Sequence, residues 1–244
     1  MAGTSSSRAL AALALCTRLR RSHGFGISLA SVALAGLVVL AYSPSHGNRQ
    51  AQPSMQRNDF WSLLQYYHGV EAEHYDSLRA MTTSADAVVV GRVVNISPGR
   101  VFGEPGDQVI YGNGALQIDK IVWDTQRSLL PDSINLEVML PDAGVDAALR
   151  GSLPTSPGVY FLRNKGVSAA QAGYALEAQL ANAPYWRLVS SQGLLENVAG
   201  SVEAPVVPAE EGGFPSDLEG SSFQALLERV QQAASAAELA IGRE

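Results

Sequence analysis

The sequence predicts a mainly β chain with flanking α-helices, its strands closing into an antiparallel β-barrel behind a single N-terminal transmembrane helix. Three observations predict this. Phe25 to Tyr42 is an uncharged apolar run between an arginine-bearing head and an acidic remainder. From Ala87 onward, short β-branched or alternating segments recur between turn signals, with no long helical period among them. The last stretch, Phe223 to Ala237, carries its apolar residues at helical spacing.

The head, residues 1–24, holds Arg8, Arg18, Arg20 and Arg21, and no acidic residue occurs before Asp59. Positive-inside asymmetry keeps such an N-terminus in the cytoplasm and makes the remainder extracytoplasmic. Phe25 to Tyr42 has 18 residues, which at ~1.5 Å each span about 27 Å, close to a hydrocarbon core of about 30 Å. This segment is the expected membrane contact. A cleaved signal peptide is the competing expectation, because Ala41-Tyr42-Ser43 offers a small-x-small site, although Pro44 behind it disfavours cleavage. Cys16 is the only cysteine and precedes the run, so the outer part can form neither an internal disulfide nor a cysteine-based zinc site.

With 244 residues and 46% hydrophobic content, the chain can bury one core and has little room for two. From Ser43 onward 13 Lys and Arg stand against 23 Asp and Glu, a formal charge of −10. Such a field repels phosphate backbones, so no nucleic-acid partner is expected.

Ser43 to Arg57 is rich in Ser, Gln, Pro and Gly and is expected to be a flexible tether. Residues 58–84 predict two helices. Asn58 caps the first, which carries Phe60, Leu64 and Tyr67 on one side with Trp61 beside them, and Gly69 stops it. Val70, His74, Leu78 and Met81 set the second. The barrel is expected over 85–200. Its first strand is Ala87 to Ile96, AVVVGRVVNI, with Gly91 where the strand bends or another backbone comes close. Ser97-Pro98-Gly99 ends that strand, and 103–114 forms a loop around a short Val109-Ile110-Tyr111 segment.

Ala115 to Trp123 is then extended. Ile134, Leu136, Val138 and Leu140 alternate with Asn135, Glu137 and Met139, the plainest period-two signal in the chain. Val159 to Leu162 follows Pro157-Gly158, and Tyr174 to Ala178, Tyr185 to Ser190 and Leu194 to Val198 complete the strands. Ser191-Gln192-Gly193 is the turn between the last two. Residues 201–220 are an acidic loop rich in Pro and Gly. Over 221–241, Ser221 or Ser222 caps a helix whose stripe is Phe223, Leu226, Leu227 and Val230, then Ala233, Ala234 and Ala237. It is suited to covering one mouth or face of the sheet.

This order of segments has a counterpart. A helix leads into Ala85-Asp86-Ala87-Val88-Val89-Val90-Gly91-Arg92-Val93, followed by an extended segment ending near Trp123, the alternating strand, and Pro157-Gly158-Val159-Tyr160-Phe161-Leu162. From about Ser77 to Gly200 the chain resembles the netrin-like or TIMP-like OB-barrel modules and bacterial envelope proteins of similar design. The resemblance implies an OB-like, NTR-like barrel. Members of that family that inhibit metalloproteinases use an N-terminal cysteine as a zinc ligand, and this domain has none. Only the fold carries over.

His68, Glu71, Glu73 and His74 are the densest set of candidate metal ligands. Gly69 interrupts the helix after His68, and a separation of six does not bring both histidines to one helical face, so neither metal nor cofactor is expected. All four histidines precede the barrel and no G-x-S-x-G elbow occurs, which removes a serine triad. No spacing nominates a carboxylate pair. The expected function is a binding or assembly module for another envelope protein, with a barrel mouth and the aromatic helix side of Phe60, Trp61, Leu64 and Tyr67 as its contact surfaces; the same helix side equally suits docking on the barrel itself or resting at the lipid interface. Two alternatives stand beside it: an envelope hydrolase with carboxylate catalytic residues, which a deep pocket holding two carboxylates would signal, and a stabilising subunit of a larger membrane complex.

Overall fold

The computed structural model describes residues 59–64, 73–125, 130–141, 144–207 and 213–241. The basic head, the run Phe25 to Tyr42, the tether and Tyr67 lie outside the described residues. Among those described, no helix is long and apolar enough to cross a membrane.

The described strands form one sheet: β1 (Ala87–Phe102), β2 (Val109–Asp124), β3 (Ser133–Met139), β4 (Gly158–Asn164), β5 (Tyr185–Leu188), β6 (Leu194–Val198) and β7 (Ser201–Glu203). Their order is β1-β2-β3-β5-β4-β6-β7, and β1 also pairs with β4. Strands β1 to β5 therefore close a ring, from which β6 and β7 extend. Every neighbouring pair is antiparallel except β3 with β5. Around the sheet lie helices α1 (Asp59–Leu63), α2 (Leu78–Ser84), α3 (Ala147–Gly151), α4 (Lys165–Gln171), α5 (Leu176–Asn182) and α6 (Phe223–Ile241). The chain is mainly β with flanking helices, as its sequence predicts.

The apolar run of β1 is explained by burial on both faces. Val89, Val93 and Ile96 join Leu116, Leu136, Leu162 and Trp186 in a cluster to which all five ring strands contribute. That cluster is the interior of the ring. Val88 and Val90 point the other way, into a second cluster with Phe161, Leu195, Met81 and the α6 residues Leu226, Val230 and Ala234. Helix α6 thus covers an outer face of the sheet, and the Ser222 hydroxyl caps it by accepting from the Ala225 amide at 3.1 Å. At Gly91 a Cβ would stand 2.2 Å from the Gln117 carbonyl oxygen. The pairing of β1 with β2 slips just before it, between Val90 and Gly91, so the glycine marks both a close approach and a bulge.

Several expectations are corrected. Ser97-Pro98-Gly99 does not end β1, which continues to Phe102 across a register shift between Pro98 and Val101. A bulge tolerates the proline there because the ladder is already interrupted. Strand β2 starts at Val109, so only the residues between Phe102 and Val109 form the hairpin loop. Tyr174 to Ala178 is not a strand: Leu176 opens helix α5. The segment Leu176-Glu177-Ala178-Gln179-Leu180 consists of strong helix formers, and Gly166 lets α4 pack on α5, since a Cβ there would meet the Gln179 carbonyl oxygen at 2.8 Å.

The second helix begins at Leu78, not Val70, because the Ser77 hydroxyl caps it, accepting from Ala80 at 3.2 Å. His74 lies ahead of that cap and is exposed. The expected loop over 201–220 begins as strand β7 and buries Val202, Ala204, Val206 and Leu218.

Candidate functional site

The expected contact surface faces inward. Phe60 and Trp61 have no exposed surface and Leu64 is 5% exposed. The two rings meet edge to face at 4.9 Å, Trp61 lies 6.3 Å from the Tyr160 ring, and the Trp61 indole N–H donates to Glu196 at 3.4 Å. An aromatic helix side offers the ring interior more apolar surface than it could keep in water, so it docks on its own core. These three residues are core, and Tyr67 lies outside the described residues.

A pocket of about 370 Å³ instead opens where β3 and β5 part, lined among others by Val138, Met139, Leu188, Val189 and Val206. The parallel pair holds only at Asn135 with Tyr185 and Leu136 with Trp186. Beyond it β3 follows β2 while β5 follows β4. The backbone bonds flanking β3 show which way its edge faces: the Asp132 carbonyl accepts from the Ile118 amide of β2, and the Leu140 amide donates to the Ile110 carbonyl of β2, each at 2.8 Å. Alternation then turns the backbone polar groups of Leu136 and Val138 to β2, and those of Met139 toward the pocket.

Two ion clusters flank this opening. In the first, Glu137 of β3 is 5% exposed. Arg100 reaches it from β1 with two bonds, Nε to Oε1 at 2.7 Å and Nη2 to Oε2 at 3.0 Å, and Lys165, the first residue of α4, holds Oε2 as well. Arg100 also donates to Asn182 Oδ1 at 2.8 Å and lies 4.0 Å from the Tyr185 ring centre, and Lys165 lies 5.2 Å from that of Tyr111. Burial pushes the Glu137 carboxyl up, but the bonds and charges of Arg100 and Lys165 outweigh it and hold the group below the usual carboxylate range. Arg100 is raised in turn, by its bond to Glu137.

The second cluster is built on Glu73. The Gln192 side chain clamps the backbone of Tyr75, accepting from its amide at 2.7 Å and donating to its carbonyl at 3.2 Å. That fixes Glu73 two residues away. Its Oε1 accepts from Arg163 at 2.5 Å and faces Arg187 Nη2 at 3.6 Å, and its Oε2 accepts from the Tyr75 hydroxyl at 2.6 Å. Burial raises this carboxyl too, and the Tyr75 bond with the two arginines brings it below the usual value. Asp86, which accepts from the Asn164 amide at 2.9 Å, goes the other way: burial raises it despite that bond and the charges of Arg163 and Arg187.

Both Glu73 and Glu137 line the pocket, together with Arg187, Ser190 and Ser191. Of the residues nominated from sequence as metal ligands, Glu73 alone reaches it, paired to arginine; His74 does not line it, and His68 and Glu71 lie outside the described residues. Among the described residues no three His, Cys, Asp or Glu side chains meet as a metal-binding group. Sequence reasoning missed Arg100, Arg163, Lys165 and Arg187. No local signal marked them, because alternation in β3 sends Glu137 to solvent, whereas the fold buries it. Comparison with protein-family models, curated proteins and solved structures found no match.

Proposed function

We propose that this chain is an OB-like, netrin-like barrel acting as a binding or assembly module at the outer face of a membrane, tethered there by Phe25 to Tyr42 with its basic head in the cytoplasm. The observation that carries this reading is the ring order β1-β2-β3-β5-β4 closing back on β1, with a parallel contact only between β3 and β5. Five-stranded barrels of OB type take their ligands on the outer side of the second and third strands and the adjoining loops. The pocket opens at the edge of that surface, beside β3.

A specific observation also favours an envelope hydrolase: the pocket wall holds two carboxylates, Glu73 and Glu137. Each is kept ionised by two cations. Acid–base hydrolysis needs one carboxyl that stays protonated near neutral pH. The pair therefore supports binding better than catalysis. A stabilising-subunit role is a special case of the same binding reading.

The test is made in intact cells. A reporter active only outside the cytoplasm, fused after Gly200, is expected to be active, and photo-crosslinkers at the exposed positions Gln117 and Asn135 are expected to join one reproducible envelope protein. A silent reporter overturns the orientation. Adducts that vary from one preparation to the next overturn the module.

A further inference from the structure

Resting on the reading that Phe25 to Tyr42 anchors the chain, we infer that the outer side of α5, with Tyr174, Leu176 and Leu180, lies on the lipid surface of that membrane. Among the described residues, four large apolar side chains keep more than 60% of their surface in water, and Tyr174, Leu176 and Leu180 are three of them. Helix α5 buries none of its residues. Its half-buried side is Ala178, Gln179 and Asn182, while Leu176 and Leu180, one turn apart, face out.

This orientation is the reverse of what burial dictates. Helix α6 shows the usual one, with Leu226, Val230 and Ala234 in the core and Gln224, Glu228 and Gln231 in water. Polar contacts fix the reversal in α5. Asn182 Oδ1 accepts from Arg100 at 2.8 Å, and its amide nitrogen donates to the Ala178 carbonyl at 2.7 Å. Arg100 is itself held by Glu137, so rolling the leucines inward would break a bond to the buried ion cluster. An apolar strip held outward in this way suits an apolar phase outside the molecule.

Lipid fits that phase better than a second protein. Three side chains fall well short of the roughly 800 Å² that each partner gives to a stable complex, whereas an interfacial helix needs only an apolar strip with polar flanks. Gly166 to Trp186 holds one charged residue, Glu177, in a domain that carries −10 from Ser43 onward. This face therefore approaches a membrane at low electrostatic cost. Residues 43–58 join Tyr42 to the start of α1, a contour of at most about 55 Å, so the anchor keeps lipid within reach.

The experiment uses the full chain in phosphatidylcholine nanodiscs carrying one chain each. In a Cys16→Ser background, a nitrobenzoxadiazole label is attached through Leu180→Cys, through Gln232→Cys on the exposed side of α6, or through Ala33→Cys in the anchor. Lipid brominated along its acyl chains is expected to quench the labels at 180 and 33 at least twofold and to leave that at 232 unchanged. Adding Tyr174→Ser and Leu176→Gln removes the rest of the strip and is expected to cut the quenching at 180 at least by half. The melting midpoint is expected to stay unchanged, because both side chains are exposed.

A quenched label at 33 with an unquenched one at 180 overturns the lipid contact and leaves the anchor standing. Unquenched labels at both positions overturn the anchor and the contact together. A label at 180 that shifts to the blue without quenching means that protein covers the helix, and equal quenching at 180 and 232 means that no face is preferred. Either result overturns the assignment of α5.

Discussion

The Glu137 and Glu73 clusters share one plan, a carboxylate between two cations, and differ in what surrounds it. Glu137 keeps 1% of its side-chain surface in water and Glu73 keeps 33%. The buried cluster is closed: its carboxylate is fully paired, and aromatic rings of Tyr185 and Tyr111 lie over its cations. The other is open, with Arg187 held to its carboxylate by a contact of 3.6 Å. A closed ion cluster fixes how elements meet, and here it locks the β1 end, β3 and the start of α4 together. An open one has donors to offer a ligand.

If that contrast is right, removing the two carboxylates has very different effects. Glu137→Gln leaves Arg100 and Lys165 partly buried without a counter-charge, and losing one partner of a buried pair costs about 3–5 kcal/mol. Both cations keep 23% of their side-chain surface exposed, so the lower end, about 3 kcal/mol, is expected from urea unfolding. Glu73→Gln is expected to cost about 1 kcal/mol or less, because its ion pairs are a third exposed and water screens such pairs. Equal losses would erase the distinction between the clusters.

The pH dependence sharpens it. Glu137 and Glu73 both titrate below their ordinary 4.5 in the folded chain, so the unfolded state binds protons first as the pH falls. Their stabilisation is complete above about 4.5 and is lost as the pH drops through the lowered folded values. Asp86 has the opposite sign: its folded carboxyl is raised above 3.8, so ionising it weakens the fold and acid relieves that cost. Stability measured from pH 7 to pH 3 is expected to fall at the acid end in the parent chain and to flatten most in Glu137→Gln. In Asp86→Asn the same fall is expected to steepen, because the opposing group is gone.

How much of this was legible in the sequence follows from how local each cause is. Alternation located β3 and the Ser222 cap located α6, because both signals lie within a few neighbouring residues. The inward turn of Phe60 and Trp61 was one of the readings the sequence allowed but did not single out, since an aromatic helix side looks the same whether it meets its own core, the lipid interface or a partner. Glu137 lay on the polar side of its strand, and alternation alone sends such a residue to solvent. Its burial depends on Arg100 and Lys165, which are 37 and 28 residues away. Likewise Arg163 and Arg187 are cross-strand partners in β4 and β5, joined to Glu73 only because Gln192 clamps Tyr75 from 117 residues away. The scattered arginines of the sequence are gathered by ring closure, which no period in the chain encodes.

The smallest expected effect tests whether the aromatic ring is part of what closes the Glu137 cluster. Tyr185 holds its face 4.0 Å from the Arg100 guanidinium carbon, a distance at which a cation over a ring gains about 0.5–1 kcal/mol when partly exposed. Tyr185→Leu keeps an apolar side chain on the same strand and removes the ring, so a loss of that size is expected in the parent background. In the Glu137→Gln background Arg100 is no longer fixed by its two carboxylate bonds, and the same substitution is expected to cost less. A double-mutant cycle between positions 137 and 185 therefore reads the coupling directly. A coupling indistinguishable from zero would mean that the ring merely lies beside the cation, and that pairing with Glu137 alone closes this cluster.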